Sequence, residues 1–88
     1  MTNESEIEFR LVSSRQLKAA RVLAGLTQSQ LSTEAGFNPR ACKYWERWGD
    51  TMPSTHPETL DAIEAALARH GVELFANPSP GCRLVSTK

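Results

Sequence analysis

Four times along this chain a run of helix-forming residues is entered through a polar cap and left through a glycine, and that punctuation bounds the helices more tightly than hydrophobicity alone. The first run spans Ser13 to Ala24: Ser13 and Gln16 have capping-box spacing, Val12 and Leu17 have hydrophobic-staple spacing, and Gly25 supplies the stop. Its inward stripe reads Leu17, Ala20, Leu23 and Ala24. The second run repeats the pattern, with Thr27 and Gln30 as the box, Leu26 and Leu31 as the staple, and Gly36 after Ala35. At about eight residues it is too short to persist alone, so Leu31 and Ala35 must hold it by packing. The third begins at Asn38, a strong N-cap, with Pro39 at the first helical position, where a missing N–H costs nothing. Phe37 is placed to staple onto Cys42, Trp45 faces the core, and the helix runs through Glu46 to a stop near Gly49. A fourth starts at His56 or Pro57, entered by Thr55 and Glu58 at box spacing, and ends at His70 before Gly71, with Leu60, Ile63 and Leu67 as its buried stripe.

After Gly71 the period changes. Val72–Phe75 (VELF) and Cys82–Val85 (CRLV) flank the turn-rich NPSPG, which predicts a β-hairpin. The segment IEFRLV, residues 7 to 12, alternates as a half-buried strand does, and an isolated hairpin is marginal, so a third strand from this segment is expected, from the same chain or from a partner. The expected fold is mainly α: residues 1–88 as a single domain, with a helical core over 13–70 and a hairpin over 72–85 that is also a candidate dimerisation element.

Composition matters chiefly for what it excludes. A chain of 88 residues buries a modest core, and 40% hydrophobic with 23% charged residues is ordinary for a globular domain, with no apolar run long enough to span a membrane. The opening MTNESEIEF lacks a signal-peptide pattern, so a cytoplasmic location is expected. Cys42 and Cys82 lie far apart without a CxxC, and His56 and His70 have no metal-ligand spacing, so free thiols and no metal or other cofactor are expected. No nucleophile–base pair, phosphate-binding glycine loop or paired carboxylates stand out, which argues against an enzyme.

The formal net charge of zero hides an asymmetry. Residues 15 to 47 hold six basic residues (Arg15, Lys18, Arg21, Arg40, Lys43, Arg47) against two acids (Glu34, Glu46), a local +4, while residues 1–14 and 48–88 are each −2. Phosphates respond to the field within a Debye length, about 8–10 Å, so the local excess counts for more than the sum. The acidic flanks would keep non-specific binding weak.

The run RVLAGLTQSQLSTEAGFNPRACKYWERWG, taken with the capped helices around it, resembles the helix-turn-helix of the Cro/cI-type (XRE-like) DNA-binding proteins over residues 15 to 70. The match lies in Arg21, then Gly25-x-Thr27-Gln28, Leu31, Ala35-Gly36-aromatic, and Glu46 before a glycine. Ser32 stands where alanine is more usual, Cys42 where a branched aliphatic is, and Trp48 lengthens the stretch between Glu46 and Gly49. The resemblance implies a sequence-specific, double-stranded DNA-binding transcriptional regulator of bacterial or phage type, nucleoid-associated when bound. In it, Thr27, Gln28 and Ser29 open the second helix against a phosphate, and the third helix enters the major groove with Asn38, Pro39, Arg40, Lys43 and Tyr44 outward. Arg40 is the candidate for reading guanine through its planar fork, Tyr44 for a thymine methyl or a phosphate, and Lys43 and Arg47 for phosphates. The same resemblance implies a structural ion pair between Arg21 and Glu46, and a homodimer on two half-sites about one helical turn apart. The competing reading keeps the fold but makes it a protein-interaction module, antitoxin-like or adaptor, gripping a protein partner through its strands or the Trp48 region.

Overall fold

The computed structural model describes residues 10–49, 51–52 and 56–85. Four helices, α1 (Ser14–Ala24), α2 (Gln28–Glu34), α3 (Ala41–Trp45) and α4 (Pro57–Arg69), precede an antiparallel hairpin of β1 (Val72–Phe75) and β2 (Gly81–Leu84). The mainly α reading with a C-terminal hairpin therefore holds.

The first two helices start where their caps put them. Ser13 Oγ accepts from the Gln16 N–H, and at α2 the box is complete: Thr27 Oγ1 accepts from the Gln30 N–H while Gln30 Oε1 accepts from the Thr27 N–H. In α1 the reciprocal half goes elsewhere, because Gln16 Oε1 takes the N–H of Val12 instead of the cap's own. The remaining polar group of Gln16, Nε2, donates to the carbonyls of Arg10 (2.7 Å), Phe75 (2.8 Å) and Gly81 (3.0 Å), joining the incoming chain and the hairpin to α1.

Helix α3 starts later than expected. Asn38 does not cap it: its Oδ1 accepts from the Arg40 N–H two residues on, a side-chain turn, and the Ala41 N–H closes a tight bond to the Asn38 carbonyl. The Cys42 N–H, which a longer helix would aim at that carbonyl, donates instead to Ser32 Oγ on α2 (2.9 Å). Five residues of α-helix remain, with Arg40 at the cap position and no side-chain cap bond. Helix α4 likewise begins at Pro57 with His56 at its cap position making no side-chain bond, and Thr55, half of the expected box, lies outside the described residues.

The core gathers Leu11, Leu17, Ala20, Leu31, Cys42, Trp45, Ile63, Ala66, Leu67, Val72 and Leu74. Leu11, Leu17, Leu31, Ile63 and Leu67 are fully buried, and each contributes about 1.5–3 kcal/mol of apolar burial. The stripe expected of α1 is narrower than the sequence pattern implied, since Leu23 is 40% exposed. Leu11 is sealed in while Val12, the expected staple residue, is exposed.

Residues 10–12 do not join the sheet, and the first part of the expected strand, Ile7–Phe9, lies outside the described residues. Side chains take the amides a strand would offer: Glu64 Oε2 on α4 accepts from the N–H groups of Arg10 and Leu11, and Gln16 from Val12. The hairpin register pairs Val72 with Leu84, Glu73 with Arg83, Leu74 with Cys82 and Phe75 with Gly81. That last pair explains why β2 starts one residue early. The Phe75 ring lies where a side chain on Gly81 would stand, so glycine admits the ring over the strand. At the far end of the domain Glu34, closing α2, accepts from Arg69 through its carbonyl (2.8 Å) and lies 3.1 Å from His70 Nε2, tying α2 to the end of α4.

Candidate nucleic-acid interface

Helix α2 turns into α3 through Gly36, whose φ of +89° is a conformation L side chains rarely adopt. The Phe37 N–H donates back to the Ser32 carbonyl (2.9 Å), and the Phe37 ring meets Trp45 edge-on with centroids 5.4 Å apart. Ser32, fully buried, is the hinge pin between the two helices: its Oγ donates to the Gln28 carbonyl (2.8 Å) and accepts from the Cys42 N–H.

A second tie runs through Glu46, immediately after α3. Its carboxylate accepts from Arg21 Nε (2.6 Å) and Nη2 (3.2 Å), Gln28 Nε2 (2.9 Å) and Cys42 Sγ (3.1 Å). Arg21 also donates from Nη1 to the Leu26 carbonyl (2.9 Å), so one guanidinium joins α1, the α1–α2 turn and the end of α3. The geometry thus forms the expected Arg21–Glu46 pair, with side chains 13% and 5% exposed. Burial pushes the Glu46 carboxyl up, but hydrogen bonds from Arg21, Gln28 and Cys42 outweigh it and leave its pKa below the usual value. The hydrogen bond to Glu46 raises the Arg21 pKa against the opposing effect of burial. Burial, then the carboxylate, push the Cys42 thiol far up, so it stays a protonated donor.

A third tie comes from the start of α1. Ser14 Oγ shares its one hydrogen between the carbonyls of Trp45 and Thr51 and accepts from the Trp48 N–H (3.3 Å), while the Arg15 N–H donates to the Gly49 carbonyl (3.0 Å). The open N–H groups of one helix therefore grip the carbonyls leaving another. Sequence reading gave neither the Ser14 bonds nor the Ser32 bond to Cys42, because spacing within one helix does not show a partner that another element supplies.

The outward face of α3 carries what these ties leave free. The turn continues helically past Trp45, with the Arg47 N–H on the Tyr44 carbonyl, so Arg40, Lys43, Tyr44 and Arg47 recur at the three- and four-residue spacing of one face. All four are exposed. Tyr44 meets Trp48 edge-on, with ring centroids 6.0 Å apart. Among the described residues no carboxylate pairs with Arg40, Lys43 or Arg47, nor with Lys18 on α1, whereas Arg10, Arg21, Arg69 and Arg83 each face one.

The other candidate residues divide. Thr27 spends its hydroxyl on the α2 cap, and Ser29 and Pro39 are exposed. Asn38 turns its side-chain oxygen onto its own backbone. Gln28 gives one amide hydrogen to Glu46 and keeps a second donor, so it reaches α3 from α2. No protein-family model matches the chain, and no curated protein is significantly similar to it.

Proposed function

We propose that this chain is a sequence-specific double-stranded DNA-binding regulator of the Cro/cI-like helix-turn-helix kind, acting in the cytoplasm on the nucleoid, with α3 in the major groove. One observation carries the reading: Arg40, Lys43 and Arg47, exposed and without carboxylate partners among the described residues, follow one face along α3 and the turns at its two ends, and that helix is fastened on its inner side at Ser32 and Glu46. An unpaired cation on a fixed backbone has a partner still to find, and phosphate supplies the charge. Arg40, at the leading end of α3, is the reader of a base edge. Lys43 and Arg47 hold the backbone, with Gln28 and Ser29 contacting it from the start of α2. Exposed Val22 and Leu23 on α1, with Leu84 and Val85 at the hairpin, support a second copy as partner, and two copies would read two half-sites.

Binding to mixed and selected duplexes at two salt concentrations tests this. Two phosphates neutralised per chain, by Lys43 and Arg47, give a slope of log affinity against log salt of about −1.8, and twice that for a dimer. A flat salt response would refute it and favour a protein-interaction module on the same fold.

A further inference from the structure

Two half-exposed aromatic side chains at the α3 face meet each other edge-on. Tyr44 is 47% exposed and Trp48 49% exposed, four residues apart, with rings edge-to-face at 76°. The edge contact restricts both rings, so less freedom is lost on binding than for two separate side chains. The backbone beneath Trp48 is fixed as well. Its N–H donates to Ser14 Oγ, and the next residue, Gly49, accepts from the Arg15 N–H, so the indole stands on a peptide clamped by α1.

Charge decides which occupant the pair suits. Lys43 precedes Tyr44 and Arg47 precedes Trp48, and among the described residues neither cation has a carboxylate partner. A protein partner would have to bring a carboxylate to each cation, whereas a nucleic-acid backbone repeats a negative charge at every nucleotide. A sugar–phosphate backbone fits both components, because deoxyribose offers C–H surface to a ring, and a phosphate oxygen accepts from an indole N–H, which is donor only, and from the neighbouring cations.

Resting on the DNA-binding reading above, we propose that Trp48, braced by Tyr44, is a further DNA contact that packs on the sugar–phosphate backbone beside the groove entered by α3. The contact is sequence-independent: it adds affinity and fixes how far along its axis α3 sits, while Arg40 reads the base.

Tryptophan emission tests this directly, since Trp45 is 5% exposed and Trp48 is the accessible fluorophore. Titrating the chain with a short mixed-sequence duplex at low salt should change the emission and shield it from acrylamide, and Trp48→Phe should abolish both responses. Trp48→Ala should bind about tenfold more weakly to every duplex with its base preference intact, and Trp48→Phe, which retains a ring, should fall between it and wild type. An indole as open to acrylamide in the complex as in the free chain, with Trp48→Phe binding as wild type and Arg40→Ala impaired, would overturn the Trp48 assignment alone. No binding of any duplex by the wild-type chain at low salt would remove the DNA reading and this contact together. Emission that follows chain concentration and ignores duplex would assign the pair to a contact between copies and overturn the proposal.

Discussion

Glu46→Gln is the most demanding test of how α3 is held. The carboxylate receives four donor groups within 3.2 Å, from Arg21, Gln28 and Cys42, in a site where its own side chain is 5% exposed. A glutamine keeps the shape but replaces one oxygen with an amide donor, which must face other donors, and it leaves the Arg21 guanidinium without its counter-charge. Breaking one side of a buried pair costs about 3–5 kcal/mol, and a domain of this size has roughly 4–13 kcal/mol in all. Urea unfolding followed by Trp45 emission should show the midpoint falling with the slope unchanged, and the melting temperature should drop by at least ~12 °C. The double variant Arg21→Met with Glu46→Leu should recover much of the loss, because no uncompensated charge stays behind. The pH dependence has a definite sign. A carboxyl whose folded pKa is depressed contributes stability that is complete above its unfolded value, about 4.3, and is lost as pH falls through the folded one. Wild type and Glu46→Gln should therefore differ most near neutrality and converge in acid below about pH 4. A Glu46→Gln chain within ~1 kcal/mol of wild type at neutral pH would refute the view that this carboxylate organises α3.

Three further outcomes are expected. Ser32→Ala strands the buried Cys42 N–H and frees the Gln28 carbonyl of its side-chain donor, which should cost about 1–3 kcal/mol in urea unfolding; a neutral result would mean the amide finds another acceptor. Gly36→Ala should cost about 1–2 kcal/mol from backbone strain alone, because an added Cβ meets nothing within 4 Å; a larger loss in thermal melts would indicate a steric cause instead. Arg40→Ala should fold normally and lose discrimination at one base position by about 1–3 kcal/mol in selected-duplex titrations, whereas Gln28→Ala should weaken binding to all sequences and also lower stability, since it removes a donor from Glu46.

Local chemistry made the helices legible and tertiary chemistry made their details illegible. Thr27 and Gln30 lie three residues apart, and their two bonds follow from that spacing alone, so α2 begins where the sequence implies. Asn38 offers the same cap chemistry, yet its oxygen has a nearer claimant in the Arg40 N–H, and Ser32 captures the next amide that a longer α3 would use. A serine on another helix cannot be seen as that competitor from spacing within the third helix. Over residues 10–12 the N-terminal alternation is met without a strand partner among the described residues, for a related reason. Alternation marks an extended chain with one face buried, and Leu11 is buried, but extension does not require a strand partner when Glu64 and Gln16 supply the acceptors. Of the candidate site, the Arg21–Glu46 pair and the outward position of Arg40, Lys43, Tyr44 and Arg47 were readable, and the role of Gln28 as a link between helices was not.

The same polar bonds explain how a five-residue helix can present cations at all. So short a helix has too few internal bonds to persist in water, and the like charges of Arg40, Lys43 and Arg47, within it and at its two ends, repel one another. Apolar burial of Cys42 and Trp45 fixes its depth but leaves it free to slide and rotate, because hydrophobic contact is non-directional. Directed bonds remove those freedoms one by one: Ser32 at its first turn, Glu46 just past its end, and Ser14 on the backbone beyond. Each acts from the inner side or from the peptide chain, so none of them uses the outer side chains. An ion pair on the outer face would add little, because exposed pairs contribute about 0–1 kcal/mol, and it would neutralise the charge presented there. Fastening α3 from within fixes its backbone and leaves Arg40, Lys43 and Arg47 without a carboxylate partner among the described residues, the arrangement that the proposed phosphate contacts require.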